Sequence, residues 1–300
     1  MIHPPPVSSM RLFCFGFGYC AAALARVLQG PACRVTGTAR DRAKVASFAA
    51  SGVETFVFDG TRPLDDPARA LLGTTHILVS APPDADGDPV LRHHRAALAE
   101  LAPSLCWVGY LSTTAVYGDR GGDWVDEDTA VAPTSERARR RVAAERDWLD
   151  LQQRHGVPVH IFRLAGIYGP GRNALRDARE GTARRIRKPG QVFSRIHVDD
   201  ITETLVASMT RPDAGRIYNV CDNEAAPSED VVAHACQLLG LAPPPVVPFE
   251  EAAKAMSEMA KSFYADNKRV RNDRIKRELG VALRFPTYRA GLDALFAAGE

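Results

Sequence analysis

Short apolar runs rich in β-formers alternate with helix-patterned segments through the first two-thirds of this 300-residue chain, and that rhythm leaves few folds open. The runs predict strands over Arg11–Phe15, Arg34–Thr38, Glu54–Phe58, His76–Ser80, Cys106–Leu111 and Val159–Arg163. Between them, Tyr19–Leu28, Arg42–Ala50, Val90–Leu101 and Arg137–Gln153 carry helical periodicity. Strands alternating with helices make βαβ units, whose right-handed crossovers lay helices on both faces of a parallel sheet. The expectation is therefore α/β and doubly wound. After Arg163 the rhythm changes. A turn cluster, Tyr168-Gly169-Pro170-Gly171, leads into a basic, irregular stretch to Gly190, a strand-like Val192–Val198, a helix from Asp199 with Asp199 or Asp200 as its cap, and a short strand Arg216–Val220. From Asn223 the pattern reads as helix, a break at Pro243-Pro244-Pro245 and two closing helices.

Composition excludes more than it assigns. A 45% hydrophobic and 25% charged chain is ordinary for a globular protein. A formal net charge of +2 gives no reason to expect nucleic acid or an anionic membrane as partner. No tract has the unbroken apolar length that a bilayer crossing needs. Leu12–Leu28, apolar and preceded by Arg11, could be read as a secretory signal. Its glycine spacing and its direct run into folded-looking sequence argue otherwise. The leader His3-Pro4-Pro5-Pro6 has no period and is expected to be disordered. The six cysteines (Cys14, Cys20, Cys33, Cys106, Cys221, Cys236) form no C-x-x-C pair and no zinc-spaced cluster, so a reducing cytoplasm is expected and a metal is not.

The strongest motif follows the first strand. Gly16-Phe17-Gly18-Tyr19-Cys20-Ala21 is a G-x-G-x-x-A turn opening a helix. Gly16 permits the tight turn, Gly18 leaves room for a pyrophosphate, and Ala21 lets helix and strand pack, with the helix N-terminus facing the phosphates. The second strand ends Thr38-Ala39-Arg40, where an NAD enzyme places an acid for the ribose 2′-hydroxyl. A guanidinium there suits a 2′-phosphate, so NADP(H) is the expected cofactor and NAD(H) the alternative, with Asp41 as the acid that would serve it. Asp59-Gly60, Ser80-Ala81-Pro82-Pro83 and Ser112-Thr113-Thr114 end three further strands, so parallel strands gather them at one carboxyl edge, where open α/β sheets bind ligands. Asp59 is placed to accept from the adenine amino group.

Several segments resemble the extended short-chain dehydrogenase/reductases. Leu111-Ser112-Thr113-Thr114-Ala115-Val116-Tyr117-Gly118 is similar to their S-[ST]-x-x-V-Y-G segment, and Arg195-Ile196-His197-Val198-Asp199-Asp200-Ile201 to their H-V-D-D segment. Arg163-Leu164-Ala165-Gly166-Ile167-Tyr168-Gly169-Pro170-Gly171 resembles the join between their lobes, and Asn267-Lys268-Arg269-Val270 with Leu279-Gly280 their C-terminal lobe. The nearest group is the atypical, YeeZ-like branch of the NAD-dependent epimerase/dehydratase family. The resemblance implies a Rossmann fold with a small, discontinuous C-terminal substrate lobe. It divides the chain into a leader (1–9), an NAD(P)-binding domain (10–168 and 197–222) and a substrate lobe (169–196 and 223–300). It also places Leu164 and Ala165 beside the cofactor, and it implies a homodimer.

The resemblance breaks at the catalytic helix. The family's Y-x-x-x-K supplies a tyrosine that exchanges a proton with substrate and a lysine that holds the nicotinamide ribose. Here Arg137 stands at the tyrosine position and Arg141 at the lysine position. An arginine stays protonated, so Arg137 cannot be the general base, although Arg141 can still donate to a ribose. Thr113 matches the substrate-orienting Ser/Thr. Tyr117, close behind it, is the substitute proton carrier, set against a packed structural tyrosine. A second Y-x-x-x-K, Tyr264 to Lys268, lies in the C-terminal lobe, with nothing to place it beside nicotinamide. The dehydratases' Asp-Glu pair is replaced by Thr114 and Ala115, which argues against sugar-nucleotide dehydration. Thr114, Arg172, Arg195 and His197 are candidates for an anionic, nucleotide-sugar-like substrate, with Arg137 beside them and His197 set against a structural histidine. The expected function is an NADP(H)-dependent oxidoreductase or epimerase-like enzyme; the competing one is a non-catalytic, NADP(H)-responsive regulatory protein.

Overall fold

The computed structural model describes residues 10–28, 30 and 33–300. The leader expected to be disordered, with its proline run, lies outside the described residues. The chain begins β1 (Met10–Phe15), α1 (Tyr19–Leu28), β2 (Cys33–Ala39), α2 (Arg42–Ala50), β3 (Glu54–Val57), α3 (Pro67–Ala70), β4 (His76–Val79), α4 (Pro89–Leu101) and β5 (Trp107–Thr113). It continues through β6 (Trp124–Val125), α5 (Glu136–His155), β7 (Val159–Leu164), β8 (Gly166–Tyr168), α6 (Ala174–Arg179), β9 (Arg185–Arg187), β10 (Arg195–His197) and α7 (Val198–Thr210). Then come β11 (Ile217–Val220), α8 (Ser228–Leu238), β12 (Val246–Pro248) and β13 (Arg269–Val270), with a closing helix at Tyr288–Ala297.

The central sheet has seven parallel strands in the order β11-β7-β5-β4-β1-β2-β3. The reversal between β1's two neighbours, β2 and β4, is the switch point of a doubly wound sheet, the Rossmann arrangement. β1, β4 and β7 are buried nearly throughout, as expected of strands covered on both faces.

The chain resolves into two compact units. The first comprises the described residues up to Ser112, with Arg140–Phe162 and Leu205–Tyr218. Its core gathers Phe13 and Phe15 of β1, Ile77 and Val79 of β4, Val108 and Tyr110 of β5, and Trp148 and Leu151 of α5. Buried aromatics of this size dominate such a core. The second comprises Thr113–Arg139, Arg163–Thr204 and Asn219–Glu300. It holds three two-stranded parallel pairs, β10-β8, β12-β9 and β13-β6, and a core of Tyr168, Leu175, Val231, Ala235, Tyr288, Leu292 and Leu295.

Two expectations about this part of the chain need correction. The stretch to Gly190 is not irregular, since it contains α6 and β9. Nor do Asp199 and Asp200 cap α7: both lie inside its first turn, which begins at Val198. The Asp200 carboxylate instead accepts the backbone N–H groups of Arg284 (2.7 Å) and Phe285 (3.1 Å), fixing the chain before the closing helix. The strand expected over Val192–Val198 is confined to Arg195–His197.

Candidate functional site

β1 ends at Phe15 and the chain turns through Gly16 at φ +88°, a conformation glycine adopts without steric cost. The turn is braced from two sides. The Gly16 N–H donates to Thr38 Oγ1 at 2.8 Å, and Ser80 Oγ donates to the Gly16 carbonyl at 2.5 Å. Thr38 and Ser80 thus hold the loop. A Cβ at position 16 would lie 2.8 Å from Ser80 Oγ; at position 18 it would meet no protein atom within 4 Å. Gly18 is exposed and opens directly into α1, so the positive end of that helix faces the same space.

That space is a cavity of about 490 Å³ within the first unit, a size typical of small-molecule sites. Gly16, Phe17 and Gly18 line it from the first turn, Thr38 and Arg40 from the end of β2, Asp59 and Gly60 from the end of β3, and Ser80, Ala81 and Pro82 from the end of β4. Of the residues that sequence reasoning placed at this edge, those at the ends of β1 to β4 line this cavity, and Ser112, Thr113 and Thr114 do not. Tyr19, Cys20 and Ala21 do not line the cavity; Cys20 and Ala21 are buried on the inner side of α1. Leu164 and Ala165 are buried at the end of β7, where the Ala165 N–H donates to the Val220 carbonyl at 3.0 Å.

Ala39 and Pro83, named in the strand-end segments, also line it, whereas sequence reasoning missed Lys44, Phe48, Phe58, Asp84 and Pro89. Lys44 and Phe48 sit four residues apart on α2, so their shared face was available from helical spacing. Phe48 meets Phe17 edge-on at 5.0 Å between ring centroids.

Charges in the cavity divide cleanly. Arg40 and Lys44 are both exposed, and no partner holds either side chain among the described residues. Asp41 has turned away: its carboxylate accepts the Lys44 N–H at 2.8 Å and caps α2. The Asp59 carboxylate accepts from the Thr61 N–H (2.9 Å) and hydroxyl (2.7 Å), bonds that hold it below the usual carboxylate range. Both carboxylates facing the cavity, Asp59 and Asp84, thus already have partners, while the two cations do not.

The helix expected to carry catalysis is arranged differently from its motif. Arg137 is exposed in the first turn of α5. Arg141 is buried and donates from Nη1 to Tyr110 Oη (3.0 Å) and the Leu111 carbonyl (2.9 Å). Glu145, one turn on, accepts a short hydrogen bond from the Ser112 hydroxyl. Arg141 and Glu145 thus fasten α5 to β5 beside the apolar Trp148 and Leu151.

In the second unit, Thr113 Oγ1 accepts the Ala115 N–H at 3.2 Å and starts the short turn that carries a half-buried Thr114. Tyr117 is fully buried, donates to Asn219 Oδ1 (2.7 Å) and accepts from Arg163 Nη1 (2.9 Å); burial pushes its phenol up to about 12. A hydroxyl so enclosed and so weakly acidic carries structure, not protons. Arg195 donates to the Phe193 (2.8 Å) and Ala226 (2.9 Å) carbonyls, which turns its guanidinium onto its own unit's backbone. His197 is buried against Phe285 (4.1 Å between centroids); burial lowers its pKa, and its Nε2 has no partner among the described residues. Arg172 is exposed at the tip of the Gly169–Arg172 turn. Tyr264 Oη pairs with Ser228 Oγ at 3.0 Å while Lys268 Nζ donates to the Gly118 carbonyl at 2.9 Å, so the second Y-x-x-x-K is not a working pair.

A parallel sheet with this switch point, a Gly-x-Gly turn running into α1 and a cavity at the carboxyl edge define a Rossmann-fold protein. The model of the NAD dependent epimerase/dehydratase family matches residues 96–221. Protein YeeZ of Escherichia coli (strain K12) is 29% identical over 239 residues, 76% of this chain and 84% of YeeZ. A functionally unknown conserved protein from Silicibacter pomeroyi has the same structure at TM-score 0.88 and 51% identity, covering 96% of this chain and 99% of that one. UDP-glucuronic acid 4-epimerase from Bacillus cereus, in complex with NAD, shares the fold at TM-score 0.74 and 17% identity, with 96% of each chain covered. Among the described residues, no helix is long and apolar enough to cross a membrane.

Proposed function

We propose that the chain binds NADP(H) in the cavity of its first unit and acts as an oxidoreductase or epimerase-like enzyme on an anionic, nucleotide-sugar-like substrate. One observation carries the cofactor reading: Arg40 and Lys44 face the cavity without partners, while the acid that could read a ribose 2′-hydroxyl, Asp41, caps α2. Two free cations suit a 2′-phosphate and have no counterpart to satisfy in NAD(H). The open position beside Gly18 leaves room for a pyrophosphate. The match to the epimerase/dehydratase family model over residues 96–221 and the NAD held by the Bacillus cereus epimerase support a nicotinamide dinucleotide as the ligand class.

The bound nicotinamide would supply hydride transfer. This chain's residues then position and enclose: Gly16 and Gly18 admit the backbone of the dinucleotide, Asp59 meets the adenine end, and Thr113 orients the substrate. Residues 10–168 and 197–222 form the cofactor-binding part of this proposal, and 169–196 with 223–300 the substrate lobe. Neither Arg137 nor Tyr117 is suited to carry the proton, so the proton route runs through substrate or water.

A second reading, a non-catalytic NADP(H)-responsive protein, is favoured by Arg141, whose guanidinium is committed to Tyr110 and Leu111. Calorimetric titration separates cofactor from no cofactor: NADPH is expected to bind at least about tenfold more tightly than NADH, a difference of about 1.4 kcal/mol, with Arg40→Asp and Lys44→Glu each erasing most of it. Equal affinity for the two would overturn the NADP(H) assignment. Turnover on a sugar-nucleotide and carbonyl panel that depends on Thr113 would end the non-catalytic reading.

A further inference from the structure

Arg92 lies in the first turn of α4 and does not itself line the cavity, yet its guanidinium joins two of the cavity's walls. Nη1 donates to Asp84 Oδ1 and Nη2 to Asp84 Oδ2, each at 2.8 Å, a forked pair. Nη2 also donates to the Gly60 carbonyl at 2.7 Å. Asp84 stands in the loop after β4, directly behind Pro82 and Pro83; Gly60 stands in the turn after β3. The two walls come from separate crossovers, and this guanidinium bonds to both. His93, the next residue, adds Nε2 to the same Gly60 carbonyl at 2.9 Å.

The charge matters as much as the tie. Asp84 presents a carboxylate to a cavity shaped for a phosphate-rich ligand, and an uncompensated anion there would oppose that ligand directly. Arg92 covers both of its oxygens, the Asp86 N–H adds a bond to Oδ1, and Arg140 contributes further attraction. The Arg92 fork is the largest of the influences that hold the Asp84 carboxyl down to about 2. An arginine fork can do both tasks; a lysine, as a point charge, can do only the second.

We propose that Arg92 is a positioning residue for the dinucleotide: it sets the spacing between the Gly60 turn and the proline-walled loop, and it neutralises Asp84 where that carboxylate faces the ligand. The inference rests on the dinucleotide reading of the cavity.

The test is NADPH affinity of the full chain, measured by calorimetry at low and high salt alongside the melting temperature without ligand. Arg92→Ala is expected to weaken binding roughly tenfold at low salt, and the deficit is expected to shrink as salt screens Asp84. Adding Asp84→Asn to Arg92→Ala recovers the salt-sensitive part of the loss and leaves the part due to spacing. Arg92→Lys falls between parent and Arg92→Ala. Binding by Arg92→Ala within twofold of the parent overturns the proposal. So does a loss that ignores both salt and Asp84→Asn and merely follows a lowered melting temperature, the signature of a structural role alone. Should Arg92→Ala fail to fold, Arg92→Lys decides: parental affinity from a normally melting protein overturns the clamp. A parent that binds no dinucleotide sinks the cofactor reading and this inference with it, whereas a parent that binds beside an unimpaired Arg92→Ala sinks the clamp only.

Discussion

A methyl group added at position 18 would meet nothing, while one added at position 16 would meet Ser80 in a backbone conformation hostile to any side chain. The two glycines of one motif should therefore fail differently. Gly18→Val is expected to melt within about 2 °C of the parent and to lose dinucleotide binding. Gly16→Ala is expected to cost about 1–3 kcal/mol of stability as well as affinity. A thermal melt with and without NADPH reads both. Such turn residues were legible in the sequence because their chemistry is local. Lys44 was not singled out, although the fourfold spacing to Phe48 was visible, because nothing in the sequence says which face of an exposed helix looks into a cavity. Arg92 was invisible for a further reason: nothing local says that its guanidinium folds back onto Asp84, and its other partner, Gly60, lies a whole crossover earlier.

At the scale of elements, α4 shows how one residue can serve two. Asp88 caps it by accepting the Val90 (2.9 Å) and Leu91 (3.1 Å) N–H groups, and its other oxygen accepts Trp148 Nε1 of α5 at 3.2 Å. Asp88→Ala removes the cap and leaves a buried indole N–H without its acceptor. The expected cost is about 2–5 kcal/mol, from a cap of about 1–2 kcal/mol and an unsatisfied donor of about 1–3 kcal/mol; Asp88→Asn, which keeps an acceptor for the cap, should cost less. Denaturant unfolding of the two variants checks the order. The sequence reading recovered α1 and α2 residue for residue and most sheet strands to within about two positions, since both periodicities are local. It failed where pairing is remote. β9 is held by β12, some sixty residues on, and leaves no mark in its own short basic stretch. Asp200 looked like a cap because acids gather at helix starts, but its partners, Arg284 and Phe285, lie beyond any local window.

For the whole molecule, the two units are expected to respond to pH in opposite directions, with His197, lowered by burial, offsetting part of the second unit's response. In the first, burial lowers His76, His94 and His160 to about 4, from an unfolded value of 6.5. Falling pH protonates the unfolded chain first, so stability held above 6.5 is lost progressively towards 4. Asp88, raised by burial, offsets part of this loss. In the second unit, burial raises Asp200 to about 6 and Asp222 to about 8, from 3.8. Rising pH deprotonates the unfolded chain first, so the contribution present below 3.8 is lost as pH climbs through those values. Hydrogen exchange at pH 5 and pH 8.5 should therefore find the first unit better protected at the higher pH and the second at the lower. Asp222→Asn, with one orphaned carboxylate oxygen replaced by a neutral amide, should remove most of the second unit's dependence. Parallel responses of the two units would contradict this account.

The capping of α2 by Asp41 constrains anyone wishing to retarget the cofactor cavity. Recruiting Asp41 to a ribose hydroxyl would fray the helix that presents Lys44, so changing Arg40 alone removes one preference without installing the other. The vacancy for a new acid is Ala39, the final residue of β2, whose side chain already borders the cavity. Redesign towards NAD(H) would thus begin at Ala39→Asp and leave the helix cap untouched.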